Sequence, residues 1–366
     1  MKNSGRVILF LSFGDIPYDQ RMQRIWAALN THGYQIHIIA RRKFDFDEKQ
    51  YPYRITRLKL WFSKGPLSYL EYNVRAFFKI LILPVELIYS VDLDTLLAAS
   101  MSKRVKGGKL IYDAHEYFTE TPEVTNRPRT KRIWELIANY TILKADLCIT
   151  VSKSIADALS DKYKKPFHVV RNVPFLSTMD KSITPERKYI LYQGAINEGR
   201  GIEELIKAIK GTNHKVVIAG EGDLFSKVKN LINDQQLTDQ VTLLGYVSPT
   251  DLRKWTSEAW LGVNLLENKG LSYYYSLANK FFDYIMAGKP QITMNFPEYQ
   301  LINTENEVSV LIDDLSPKTI LNAINRLDNT HLYNTIETNC KKAALKYNWE
   351  NECKILIELI DELSPG

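Results

Sequence analysis

Short β-branched runs alternate with amphipathic stretches along the whole chain, and that alternation restricts it to parallel sheets wound with crossover helices. In the first half the runs are RVILFLSF (6–13), YQIHIIAR (34–41), ITRLKLW (55–61), ELIYSVD (86–92), KLIYDAH (109–115), ADLCITV (145–151) and FHVVRN (167–172). Helical spacing falls between them at 19–32, 69–85, 95–105, 130–144 and 152–163, with Ser152 placed to cap the last of these. A polar stretch from Ser177 to Lys188, which contains Pro185, breaks the pattern and reads as a linker. The alternation then restarts with KYILYQGA (188–195), KVVIAG (215–220), VTLLG (241–245), WLGVNLL (260–266), PQITMN (290–295) and VSVLID (308–313). The tail after Asn348 has the spacing of a final helix.

Length agrees with two such units: 366 residues suit two domains, each able to bury its own core. The expected fold class is α/β, two Rossmann-like doubly wound parallel-sheet domains facing across a cleft. The expected boundaries are 1–172 and 173–347, with 348–366 packing back on the first domain. Ligands of open α/β sheets bind outside the carboxyl ends of the strands, so chemistry is sought there.

Charge is uneven. Residues 1–172 hold 28 Lys and Arg against 17 Asp and Glu, whereas residues 173–366 hold 20 against 25. The first half therefore faces something anionic. No basic run interleaved with aromatics and no zinc, helix-turn-helix or RNA-binding signature is present, which argues against nucleic acid as partner. An anionic membrane surface or a phosphorylated acceptor fits better. Cys148, Cys340 and Cys353 form no CxxC pair and read as small buried hydrophobes of a reducing compartment. The run Val7–Phe13 is short, lacks a cleavage site and gives way to Gly14, so it reads as a strand and not a signal peptide. No stretch reaches transmembrane length. A cytoplasmic protein is expected, peripheral at most on the inner face of the membrane.

The segment SLANKFFDYIMAGKP (276–290) is the most informative. Ser276 can cap a helix reaching about Ala287, stopped by Gly288 and Pro290. Phe281, Phe282, Ile285 and Met286 form its apolar stripe, and Asn279 and Asp283 share the other face. Free N–H groups in the first turn, together with Lys280, suit a diphosphate. Asp283 lies one turn further, about 6 Å along the axis, where a carboxylate can accept both hydroxyls of a ribose. A capped surface helix explains the same spacing. In YQGAINEGRGIEELIKAI (192–209), Gly194 ends a strand and Arg200 precedes a helix, an arrangement that can hold a diphosphate bidentately. Gly220 and Gly222 mark a second turn on the same edge, although any α/β fold needs such glycines. In KLIYDAHEYFTE (109–120), His115 and Glu116 stand where a strand gives way to a loop. A lone His is often structural, but Asp113, Glu116 and Glu120 flank this one and can fix an imidazole. Asp92 and Asp94 end the neighbouring strand, and Asp19, Arg21 and Arg24 follow the first.

These segments resemble, in order, the family 4 retaining glycosyltransferases of the GT-B fold, particularly those of bacterial cell-surface polysaccharides. The resemblance runs through DQRMQRIWAALNTHGYQIHII, VDLDTLLAAS, LIYDAHEYFTE, ADLCITVSKSIADAL, YQGAINEGRGIEELIKAI, SLANKFFDYIMAGKP and NWENE. It implies that the C-terminal domain binds a nucleotide-diphosphate sugar through Gly194, Arg200, Gly220, Gly222, Ser276, Asn279, Lys280 and Asp283. The N-terminal domain would bind a glycan or polyprenyl-diphosphate-linked acceptor, with Asp19, Arg21, Asp92 and Asp94 on that side. His115, with Glu116 beside it, would be catalytic and contact the donor sugar near the reacting carbon. No cofactor and no metal would be required, Arg200, Lys280 and helix N–H groups meeting the diphosphate charge. Two positions depart from the family pattern. Ala195 stands where an arginine is common, and Tyr275 stands where the first of two glutamates is usual.

The stretch LSYLEYNVRAFFKILILPVELIY (67–89) is aromatic-rich and sparsely charged. It reads either as a crossover helix buried on the sheet or as one partly exposed to a membrane surface. A Rossmann dehydrogenase is disfavoured because no GxGxxG follows a strand. Ala195 and Tyr275 keep open a catalytically silent sugar-nucleotide-binding partner subunit.

Overall fold

A computed structural model describes residues 5–14, 16–43, 45–176 and 189–363. The expected linker, 177–188, lies outside the described residues. The chain divides into two compact units: one runs to Asn172 and takes in the chain again from Glu352, and the other spans Val173–Asn351.

In the first unit the apolar runs become β1 (Val7–Ser12), β2 (Gln35–Arg41), β3 (Arg54–Leu58), β4 (Leu87–Val91), β5 (Lys109–Ala114), β6 (Leu147–Thr150) and β7 (Phe167–Val169). They form one sheet in the order β3-β2-β1-β4-β5-β6-β7, with every pairing parallel. β1 and β4 are neighbours although two strands separate them in sequence, so the order reverses there and a crevice opens at their carboxyl ends. Near-continuous apolar runs are what such strands require, because helices cover both faces. Accordingly Ile8, Leu9, Phe10 and Leu11 are all fully buried.

The second unit repeats the plan with β8 (Ile190–Gln193), β9 (Val216–Ala219), β10 (Val241–Gly245), β11 (Leu261–Asn264), β12 (Gln291–Met294) and β13 (Ser309–Ile312). Their order is β10-β9-β8-β11-β12-β13, again parallel, with the reversal between β8 and β11. Strand and helix positions follow the apolar runs throughout. Ser152 caps Lys153–Tyr163 by accepting from Ile155 N at 3.4 Å. The last helix, Trp349–Leu363, buries Leu356 and Ile360 completely.

Candidate functional site

In the first unit the strand ends surround a cavity of about 510 Å³ at the crevice between β1 and β4, lined among others by Asp19, Arg41, Lys64, Asp92, Asp94 and His115. His115 follows directly on β5, which places its ring over the strand's last inward carboxylate. Its Nε2 lies 3.3 Å from Asp113 Oδ2, and its Nδ1 lies 3.6 Å from Asp92 Oδ2. Asp92 also accepts the backbone N–H of His115 at 2.9 Å, and its own backbone is left-handed, φ 57°. Asp tolerates that conformation better than most residues. Burial opposes charge on the ring, but Asp92 and Asp113 outweigh it and raise the His115 pKa to about 9. The two carboxylates thus favour the protonated ring, which is a hydrogen-bond donor and is poorly suited to stabilise a developing positive charge.

Asp113 is fully buried and tied from three sides. Arg21 donates from Nε at 3.1 Å and from Nη2 at 2.9 Å, and Tyr89 donates its hydroxyl at 2.8 Å. Burial favours the neutral acid, yet Arg21 and then His115 hold its pKa well below the ordinary carboxylate range. Arg21 is thus not presented to an acceptor. It is 2% exposed, with Nη1 spent on Val170 O, because the first helix (Gln20–Thr31) lays it beneath the strand ends. Asp19 caps that helix at Met22 N, 3.0 Å, and still lines the cavity. Of the flanking carboxylates, Glu120 is taken by Lys131 at 2.7 Å and Glu116 is exposed outside the cavity lining. The partner of His115 that its own segment does not supply is Asp92, from β4's end. Burial, and then the Asp92 charge, push Asp94 well above the usual range.

In the second unit Gly194, Arg200, Lys280 and Asp283 come together where β8 ends. Lys280 Nζ sits 3.9 Å over the Tyr192 ring, and a Cβ on Gly194 would stand 3.3 Å from that nitrogen. Burial and then the Arg200 charge lower the Lys280 pKa well below 10.5, with Asp283 opposing. Arg200 leans on Tyr273, 5.1 Å from its centroid, and its buried Nε has no hydrogen-bond partner. Neither cation forms an ion pair with a carboxylate among the described residues. Asp283 Oδ2 accepts from Gln193 Nε2 at 2.8 Å, and Thr256 donates to Gln193 Oε1 at 2.9 Å.

Two expectations change in detail. Ser276 does not cap the helix, which spans Asn279–Met286 behind Ala278 with no side-chain cap. Instead Ser276 bonds Tyr273 O at 2.8 Å and closes the short preceding turn Leu271–Tyr274. Phe281 and Phe282 are buried as the stripe requires, and Asn279 is exposed on the first turn. Gly220 and Gly222 owe their identity to close packing: a Cβ on either would overlap the backbone at Gly194 or Ile196. Both still bring that loop to the site's edge. Thr256 lies in none of the quoted segments, and Tyr192 and Gln193, although they open YQGAINEGRGIEELIKAI, offer no signal beyond a polar residue closing an apolar strand.

Two family models match consecutive parts of the chain: Glycosyltransferase Family 4 over residues 21–173, and Glycosyl transferases group 1 over residues 178–346. The chain belongs to the family 4 glycosyltransferases of the GT-B fold. It is 26% identical over 231 residues to an uncharacterized glycosyltransferase of Methanocaldococcus jannaschii, MJ1607, a match covering 56% of this chain and 57% of that protein. Among solved structures, a sucrose-phosphate synthase from Thermosynechococcus elongatus aligns with TM-score 0.80 at 17% identity, over 98% of this chain and 99% of that one. Anabaena HepE in complex with UDP and glucose aligns with TM-score 0.76 at 14% identity, over 97% and 99%.

Proposed function

We propose that the chain transfers a sugar from a nucleoside-diphosphate sugar to an acceptor, the second unit binding the nucleoside diphosphate and the first the acceptor. The observation that carries this reading is Arg200 with Lys280. They are two basic side chains at one strand edge, neither in an ion pair with a carboxylate among the described residues, beside an uncapped helix start. A diphosphate supplies the missing charge, and Asp283, one turn along, accepts the ribose hydroxyls. The bond between the sugar's anomeric carbon and the diphosphate breaks, with the electron pair leaving on the diphosphate. Arg200, Lys280 and the helix N–H groups stabilise that charge where a divalent ion serves elsewhere.

The acceptor hydroxyl oxygen forms the new bond on the same face and passes its proton to the departing diphosphate, so configuration is retained. His115 orients the sugar by donating from Nδ1, which at 3.6 Å from Asp92 Oδ2 makes no hydrogen bond to it, whereas Nε2 is engaged by Asp113. A glycan or polyprenyl-diphosphate-linked acceptor in cell-surface polysaccharide synthesis agrees with the basic first unit and with the resemblance of its motifs. HepE, seen with UDP and glucose on the same fold, supports a nucleotide-sugar donor. Calorimetric titration with UDP, ADP and GDP and their sugars, followed by a transfer assay in EDTA, tests the reading. Binding of one nucleotide and transfer in EDTA are expected. Strict dependence on magnesium or manganese overturns the metal-free leaving group, and binding without transfer or donor hydrolysis leaves the silent partner subunit.

A further inference from the structure

The crossovers from β3 to β4, β4 to β5 and β5 to β6 all advance in one direction across the first sheet, so their helices lie on one face of it. These are Pro66–Leu81, Asp92–Lys106 and Pro128–Thr141. Their last turns sit side by side. Lys106 Nζ reaches the carbonyls of Ile80 and Leu81 at 3.2 Å each, and Arg104 Nη1 reaches the Tyr140 hydroxyl at 3.4 Å.

The first helix buries Tyr72, Ala76 and Ile80, which leaves a second apolar stripe outward. Leu67, Leu70, Val74, Phe78 and Ile82 repeat at three and four residues, and all are exposed, Phe78 at 62% and Ile82 at 73%. Met101 and Val105 continue this surface on the second helix, and Ile133, Leu136 and Tyr140 on the third. Scattered exposed apolar residues need no explanation, but an aligned stripe across packed helices does. At its edge Trp61 is 83% exposed, held there by Glu71 carboxylate bonds to its backbone N–H and by Arg75 4.6 Å over its ring.

Charge selects the occupant. The acidic side chains of the three helices are Glu71, Asp92, Asp94 and Glu135. Glu71 is tied to Arg75 at 2.8 Å, the two aspartates line the cavity, and Glu135 lies 3.9 Å from Lys162. Arg104, Lys106, Arg129 and Arg132, by contrast, are exposed. Apolar side chains and an aromatic residue flanked by cations are the composition of a surface that lies in an anionic lipid interface.

We propose that this three-helix face is a docking surface for an anionic bilayer. The face reaches the cavity rim, because Ser68 and Tyr69 line the cavity on the same turn that sends Leu67 and Leu70 outward. A lipid-borne acceptor lying in the bilayer would meet the cavity without leaving the interface. Among the described residues no helix is long and apolar enough to cross a membrane, and the surface described needs none.

The inference rests on the transferase reading only for its purpose, and its test is independent of that reading. Full-length protein is floated with phosphatidylglycerol–phosphatidylcholine vesicles and with phosphatidylcholine vesicles alone. Binding is expected on the anionic vesicles and should weaken with salt. Arg129→Glu with Arg132→Glu should lower it by about five-fold per charge removed, and Val74→Glu with Phe78→Glu should abolish it. Melting temperature and nucleotide affinity, measured on each variant, should stay at the parent values. No vesicle binding by the parent protein, or binding untouched by both pairs, overturns the proposal even if nucleotide binding is intact. A parent protein that sediments as a dimer and becomes monomeric in Val74→Glu with Phe78→Glu also overturns it, since the face would then belong to a second copy.

Discussion

Asp113 is the residue on which the first unit's site turns, because it holds Arg21, Tyr89 and His115 at once. The folded chain keeps the His115 proton up to a pH of about 9, against 6.5 for an ordinary imidazole. The stability drawn from that proton is therefore complete below pH 6.5 and lost as pH rises through about 9. A nuclear magnetic resonance titration of the His115 ring should show a midpoint near 9, and Asp113→Asn should bring it down toward the ordinary value. A midpoint already near 6.5 in the parent protein would remove the imidazolium from the account. His115→Ala should lower kcat by about 100-fold, near 2.7 kcal/mol, with little change in nucleotide affinity. Near-parental turnover in a stable variant would make the ring structural. At the other site, Asp283→Asn should weaken nucleoside-diphosphate binding by about 1.5–3 kcal/mol, as for bonds to a charged group, and unchanged calorimetric affinity would exclude the carboxylate. Lys280 adds a sign of its own. Burial and Arg200 depress its pKa, so an arriving diphosphate must raise it, and binding should take up a proton wherever free Lys280 has lost one. Titrations in two buffers of different ionisation heat measure that uptake, and Lys280→Met should abolish it.

Among the elements, the strand ends matter more than the helices, since both candidate sites stand where β1, β4, β5 and β8 stop. The backbone there is packed too closely for a side chain. Gly220 has φ 152° and lies against the Gly194 carbonyl, which in turn precedes the loop leading to Arg200. Gly220→Ala should cost about 1–3 kcal/mol of stability and loosen the loop beside Gly194, and a melting temperature equal to the parent's would show that the loop can yield. The thirteen strands of the described residues were legible because a strand buried on both faces must be apolar along its length, a local property of sequence. His115, Arg200 and Lys280 stand where the sequence placed them, each following a strand or opening a helix, because that placement is also local. What was not legible depends on neighbours brought together by strand order. Asp92 meets His115 because β4 lies beside β5, and Gln193 meets Asp283 across ninety residues of chain. Ser276 was misassigned as a cap because its residue type suits one, whereas the short turn Leu271–Tyr274 claims its hydroxyl first.

At the scale of the whole molecule, the chain leaves the first unit at Asn172 and rejoins it at Glu352, so sequence order and structural membership part at the last helix. That return is anchored at both ends. Glu352, 3% exposed, accepts from Arg171 N at 2.8 Å and Nη1 at 3.1 Å. Asp361 accepts from the Tyr34 hydroxyl at 3.0 Å and lies 3.1 Å from His32 Nε2. Between these anchors Leu356 and Ile360 are fully buried, so the helix contributes core as well as polar contacts. The exposed Asp361 pair adds little in water, and the apolar pair should dominate. Ile360→Ala should then cost about 2–5 kcal/mol, lost burial and a residual cavity together. The cost should fall on the first unit alone. A nucleoside diphosphate stabilises whichever unit binds it, by about 2.7 kcal/mol at a hundred times its dissociation constant. Scanning calorimetry of the full chain with and without nucleotide therefore labels the second unit's transition as the one that rises. Ile360→Ala should lower the other transition and leave the nucleotide-responsive one in place. A shift confined to the nucleotide-responsive transition would show that the last helix does not belong to the first unit's stability.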